Sequence, residues 1–223
     1  MTSRLTILLP HGFDGGGPDH STGHIERVLA RCAKGNIQVA NPSTPASFFH
    51  LLRRQGAMPT PKPLVVFSPK QLLRLRACTS PLAALEPGTA FEPVIAEDAR
   101  DAERVVLCSG KIAYRLAAER AERGLDGRVA IVRLEQLYPF PEAALREALD
   151  GAEGMLVWVQ EEPANLGPFT WLDRRLERAA GRRVVSIARP PAASPAAGWK
   201  AWHDAEEKAL LDAAFDLERD PCA

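Results

Sequence analysis

Two histidines, His11 and His20, flank a glycine-rich stretch in which Gly12, Gly15, Gly16 and Gly17 follow an apolar run. Imidazole changes charge near neutral pH, so either ring is chemically suited to move a proton or donate to an oxyanion. The glycines let the backbone reach positive φ and approach a ligand closely. His20 stands near the start of the first helical pattern, where the helix dipole disfavours an imidazolium and keeps the ring neutral. His11 directly follows the apolar run and is placed to hydrogen-bond the loop. His20 and His11 are therefore the candidate catalytic residues.

Other polar groups fall at strand ends. Ser109-Gly110-Lys111 lies between an apolar strand and a helix, where free N–H groups and an ammonium hold anions. The full phosphate-loop spacing is absent, and an ordinary polar turn is the plainer reading. Gln160-Glu161-Glu162 follows the run Met155 to Val159. Consecutive side chains diverge on extended backbone, which argues against a glutamate dyad. Arg53, Arg54, Lys70 and Arg74 form either a solvated face or a pocket for a phosphorylated ligand. His50 and His203, set among aromatic residues, read as packing residues.

The elements that must position these groups alternate between strand and helix. Leu5 to Leu9 is a continuous apolar run, the pattern of a strand buried on both faces. Ile25, Val28, Leu29 and Cys32 recur at helical spacing, and Lys34-Gly35 suits a helix end. Ile37 to Ala40 predicts a strand, then Thr44 an N-cap with Pro45 at the first helical position. Leu64 to Phe67 predicts a third strand. Residues 76–100 carry Pro81, Pro87-Gly88 and Pro93 and read as a linker, with a short strand within 90–95. A second unit follows, with strands over 104–108, 129–134, 155–159 and 184–188, and helices after 111, 141, 170 and 200. The fold class is α/β, two doubly wound units built on mostly parallel sheets.

Composition sets the broad class. The 223 residues include 28 basic and 28 acidic ones, so no global field favours nucleic acid or an anionic membrane. No apolar run approaches the roughly 20 residues of a membrane helix, and no secretory signal pattern opens the sequence. A cytoplasmic setting follows. Cys32, Cys78, Cys108 and Cys222 form no metal-ligand pattern, and Cys108 reads as a buried small hydrophobe.

Several stretches together resemble thiamine diphosphate-dependent 2-oxoglutarate dehydrogenases. They are Leu-Leu-Pro-His-Gly-Phe-Asp-Gly at 8–15 with Gly-Pro-Asp-His-Ser at 17–21, Thr-Pro-Ala-Ser-Phe-Phe-His-Leu-Leu-Arg-Arg-Gln at 44–55, and Pro-Leu-Val-Val-Phe-Ser-Pro-Lys at 63–70. The second half adds Cys-Ser-Gly-Lys at 108–111, Val-Ala-Ile-Val-Arg-Leu-Glu-Gln-Leu-Tyr-Pro-Phe-Pro at 129–141, and Trp-Val-Gln-Glu-Glu-Pro-Ala-Asn at 158–165. The resemblance implies that residues 1–75 close a transketolase-like pyrimidine domain and that 101–223 form a transketolase C-terminal-like domain. It implies a chain that is the last quarter of the enzyme, with thiamine diphosphate and magnesium bound mainly by parts on another chain.

The same resemblance assigns His20 to the handling of the 2-oxo acid. It places an AMP or acyl-CoA site around Thr44, Arg54, Lys70, Lys111 and Gln160. The implied partners are the rest of the dehydrogenase, in a homodimer or hetero-oligomer, and a dihydrolipoyl succinyltransferase. The alternatives are a stand-alone regulatory module that binds AMP or an acyl-CoA, and an inactive remnant. Gly16 stands where the family usually has glutamine, His24 where it has arginine, and Leu166-Gly167-Pro168-Phe169 where it has Gln-Gly-Ala-Trp.

Overall fold

The computed structural model describes residues 2–11, 13 and 23–218, so His20, Gly16 and Cys222 lie outside the described residues. Two sheets carry the chain. The first has the order β1-β3-β2-β7, from β1 (Thr6–Leu9), β3 (Leu64–Phe67), β2 (Gln38–Ala40) and β7 (Gln136–Tyr138). Its first three strands are parallel, and β7 is antiparallel to β2. The second has the order β4-β6-β5-β8-β9, from β4 (Val94–Ala96), β6 (Val129–Leu134), β5 (Arg104–Cys108), β8 (Met155–Pro163) and β9 (Val185–Arg189). Only β4 runs antiparallel there. The short strand expected near 90–95 is β4, displaced to Val94–Ala96.

Among the described residues six α-helices cover these sheets: α1 (Ile25–Leu29), α2 (Pro45–Ala57), α3 (Ile112–Glu122), α4 (Glu142–Ala148), α5 (Phe169–Ala180) and α6 (Lys200–Phe215). The cap expected at Thr44 forms, its hydroxyl accepting from Ser47 N at 3.1 Å. Such a cap satisfies one of the free donors of the first helical turn. None of these helices is long and apolar enough to cross a membrane.

Strand alternation divides the second sheet between two cores. Val106, Cys108, Ile131, Val157 and Val159 face α3 and α6, meeting Ile112, Leu116, Leu210 and Phe215. Burial pushes the Cys108 thiol up to about 12, in keeping with an inert packing role. Val105, Leu107, Val132, Leu156 and Trp158 face the other way, into a core shared with Leu145 of α4 and Leu172 and Leu176 of α5. That second core also holds Ile25, Leu29, Val39, Val65 and Phe67 from the first unit. The two units are therefore packed into one another rather than strung on a linker.

The segment after β6 seals this junction. Glu135 is fully buried and accepts from Ser43 N at 2.7 Å and from the Ser43 hydroxyl at 2.6 Å. The Tyr114 hydroxyl donates to Ser43 O at 2.8 Å, and Gly35 N donates to the Tyr138 oxygen at 2.7 Å. Burial raises the Glu135 pKa, outweighing the Ser43 hydrogen bonds and the Arg133 charge. Strand β7 is the element the sequence pattern did not reveal, because three residues after a strand carry too few positions to show alternation.

The first strand departs from the expectation of burial on both faces. Leu5, Ile7 and Leu8 are 57%, 38% and 54% exposed, since β1 is the edge of its sheet and no described strand pairs with its outer side. A flat apolar edge without lysine or a bulge is a template for pairing with another chain. Light scattering on the purified chain is accordingly expected to show mass rising with concentration. Leu8→Lys should abolish the rise; a wild-type chain monomeric at every concentration would refute this.

Candidate functional site

Strands β5 and β8 are neighbours, yet the chain leaves β5 for β6 on the opposite side. That arrangement is a topological switch point, where open α/β sheets bind ligands beyond the carboxyl ends of their strands. Lys111 follows β5, while Glu161 and Glu162 close β8. Beyond them opens a cleft of about 850 Å³, lined by Phe13, Leu72, Arg74, Ile112, Arg115 and Leu211 together with Lys111, Glu161, Arg189 and His203.

The consecutive glutamates point apart, as extended backbone requires. Glu161 turns to the cleft and pairs with Lys111, Nζ to Oε2 at 2.7 Å. Glu162 turns inward to His11, Oε1 to Nε2 at 2.6 Å, while His11 Nδ1 meets Gly23 O at 2.6 Å. Both ring nitrogens thus face acceptors, and only the imidazolium offers two N–H donors. Burial works against that charge, but the Glu162 hydrogen bond and charge, the charge of Glu161 and the Gly23 carbonyl outweigh it, so the His11 pKa is raised.

Aromatic packing frames the cleft. Phe13 stacks on His203 with centroids 5.8 Å apart, and the Arg189 guanidinium lies 4.7 Å from the Phe13 centroid. Burial and the Arg189 charge lower the His203 pKa, which suits its reading as a neutral packing residue. Arg189 is itself buried, donating to Glu161 O at 2.8 Å and His203 O at 2.9 Å. Phe13 lies within the 8–15 motif but is not singled out there, and Arg189 lies in no motif; only the fold brings a strand end, a loop and α6 together here.

The sequence candidates are distributed unevenly. Lys111 and Arg74 line the cleft, and Lys70 is exposed one residue before Gln71, another lining residue. Thr44 caps α2. Arg54 bonds Gln136 at 2.7 Å and Gln38 at 3.1 Å and lies over Phe91, while Arg53 donates to Thr89 O. Gln160 is buried and brackets the following turn, accepting from Phe169 N at 3.2 Å and donating to Leu166 O at 2.8 Å. His50 is buried and bonds Ala84 O at 2.7 Å. Gly110, at φ +75°, allows the turn before Lys111 to close on the first unit: a Cβ there would fall 2.4 Å from Asn41 Nδ2.

A magnesium diphosphate needs oxygen ligands with open coordination positions. Among the described residues the imidazole–carboxylate group His11, Glu161 and Glu162 presents its ligand atoms within 4.8 Å of one another. Those atoms are already taken by each other, by Gly23 and by the Lys111 ammonium. The described residues do not fit that end of a thiamine cofactor.

Comparison with known proteins agrees with this geometry. Residues 79–215 match the family described as 2-oxoglutarate dehydrogenase C-terminal, and residues 1–76 match the pyrimidine-binding domain of transketolase. The chain is 44% identical over 221 residues to a 2-oxoglutarate dehydrogenase E1 component of Cupriavidus necator, and 45% identical over 233 residues to that of Brucella abortus. Each match takes in 96% of this chain and 23% of the relative, so the chain spans under a quarter of their length. A solved structure described as a split gene transketolase, inactive beta4 tetramer, has the same fold, with TM-score 0.61 and 16% identity over 96% of this chain and 66% of that one. The chain belongs to the 2-oxoglutarate dehydrogenase C-terminal family, with a transketolase-type pyrimidine-binding domain in front of it.

Proposed function

We propose that this chain is the C-terminal portion or a split subunit of a 2-oxoglutarate dehydrogenase, completing an active site whose remainder lies on another polypeptide. One observation carries the reading: the match to an E1 component, at 44% identity, covers 96% of this chain but 23% of the relative. Residues 1–75 and 101–223 serve as the two domains of that portion, joined through 76–100. Thiamine diphosphate and magnesium are held mainly by the companion. The assembly converts 2-oxoglutarate to carbon dioxide and passes the succinyl group to the lipoamide of a dihydrolipoyl succinyltransferase, in the tricarboxylic acid cycle. His20 contributes a neutral imidazole that donates to the 2-oxo acid or exchanges a proton with it. The free thiols Cys32, Cys78 and Cys108 are in keeping with a cytoplasmic setting.

The isolated chain, supplied with thiamine diphosphate and magnesium, is expected to release no carbon dioxide from 2-oxoglutarate. Mixing with a polypeptide that supplies the missing part of the enzyme should restore release. Turnover by the chain alone would refute the claim that its site is incomplete.

The cleft favours a second reading, a regulatory module for AMP or an acyl-CoA. Its apolar wall and its cations, Arg74, Lys111, Arg115, Arg189 and Lys200, suit a ligand with both phosphate and apolar parts. Calorimetry with AMP and with acetyl-CoA is the test. One charge-assisted hydrogen bond contributes about 1.5–3 kcal/mol, so Lys111→Ala should weaken binding roughly 10- to 150-fold. Tight binding that survives Lys111→Ala and Arg74→Ala would exclude this pocket.

A further inference from the structure

His11 and Gly23 stand at the two ends of the 12–22 stretch that contains His20. One side chain joins them. His11 Nδ1 meets Gly23 O at 2.6 Å, and the Gly23 amide returns a bond to Pro10 O at 3.1 Å. The approach is too close for a side chain at position 23, where a Cβ would lie 2.9 Å from Pro10 O. Phe67 meets the His11 ring edge-on at 5.5 Å. The remaining ring nitrogen is held by Glu162, which comes from β8, 151 residues along the chain.

We propose that Glu162 is a positioning residue: acting through the buried His11 ring, it holds His11 and Gly23, the described residues on either side of 12–22, in fixed relation within the dehydrogenase site. This rests on the assignment of His20 to a dehydrogenase site. With Nδ1 on Gly23 O and Nε2 on Glu162, the ring spans two fixed acceptors, the arrangement a positioning role needs.

The charges around the ring are balanced. Glu161 and Glu162 approach from β8, and Lys111 pairs with Glu161 at 2.7 Å. His24 and Glu26, at the start of α1, bond one another at 2.9 Å beside a small cavity that His11, Gly23 and Glu162 also line. Because the folded-state pKa of His11 is raised, the stabilisation from this pair is complete below the ordinary value of 6.5 and is lost as pH rises through the folded value.

The test compares Glu162→Gln and Glu162→Ala in the full chain. A glutamine can donate to a neutral ring at Nε2 while Nδ1–H stays on Gly23 O, so it keeps the geometry without the charge. Hydrogen exchange at the Gly23 amide should speed about tenfold or more in the alanine variant and stay near wild type in the glutamine variant. The His11 ring ¹⁵N signals should titrate above the ordinary value in the wild type and lower in Glu162→Gln. In the reconstituted dehydrogenase the alanine variant should lose roughly 10- to 100-fold in kcat, with KM for 2-oxoglutarate little changed and glutamine restoring most of the rate.

Unchanged Gly23 exchange in Glu162→Ala, or unchanged His11 titration in Glu162→Gln, would overturn the clamp. The titration needs only the glutamine variant and so survives a failure of the alanine variant to fold. An unaltered kcat in a folded Glu162→Ala assembly would overturn the positioning role. If the wild-type assembly itself turned over no 2-oxo acid while the exchange and titration changed as stated, the dehydrogenase reading would fall and the clamp on Gly23 would stand.

Discussion

Trp158→Ala should be among the most damaging single changes to this fold, costing about 3–5 kcal/mol of the roughly 5–15 kcal/mol typical of a domain. Trp158 sits on β8, paired on both sides by β5 and β9, and is fully buried. Its ring fills the core that both units share, so the cavity left behind has walls from two sheets and cannot collapse easily. Its indole N–H donates to Gln160 Oε1 at 3.1 Å, and Gln160 in turn brackets the turn after Glu162. The loss should therefore spread from packing to the end of β8 that holds His11 and Lys111. For a chain of this size the melting temperature should fall by about 6–20 °C, with Trp158→Phe losing less. A fall under about 3 °C by calorimetry would show that this core is far more compliant than its packing implies.

His20→Ala in the reconstituted enzyme is expected to lower kcat by about 10²–10⁴-fold, the usual contribution of a positioned general acid or base. On the proposed split of the site the effect is read in the assembled enzyme, so the measurement is its carbon dioxide release, with chains that unfold at the wild-type temperature. His11→Ala should also reduce the rate, but by disturbing the stem at Gly23, and so should come with faster Gly23 exchange. Equal rates for wild type and His20→Ala would remove the histidine from the mechanism and return the glycine stretch to a purely structural reading.

Much of the architecture was legible in the sequence because burial imposes period. Strands such as Leu64–Phe67 and Arg104–Cys108 lie between two layers, so every position of the first, and every position of the second after Arg104, is apolar and the run announces itself. The Thr44-Pro45 start of α2 is likewise local chemistry, a hydroxyl and a ring at adjacent positions. Strand β1 has the same apolar run but lies at an edge, since composition records what a strand is built to face and not what covers it in a single chain. Strand β7 was hidden for the opposite reason, being three residues whose pairing depends wholly on Val39 and Ala40, far away in sequence.

The site divides in the same way. By itself the sequence determined the α/β class, the order of the elements apart from β7, the family, and the residue types available for chemistry: two histidines around the glycines, a lysine after one strand and two glutamates at the end of another. Only the tertiary structure decided how they combine, sending Glu161 to Lys111 at the cleft and Glu162 to His11 at the loop stem. Adjacent side chains on a strand leave opposite faces, so which partner each one meets depends on what the fold packs against that face.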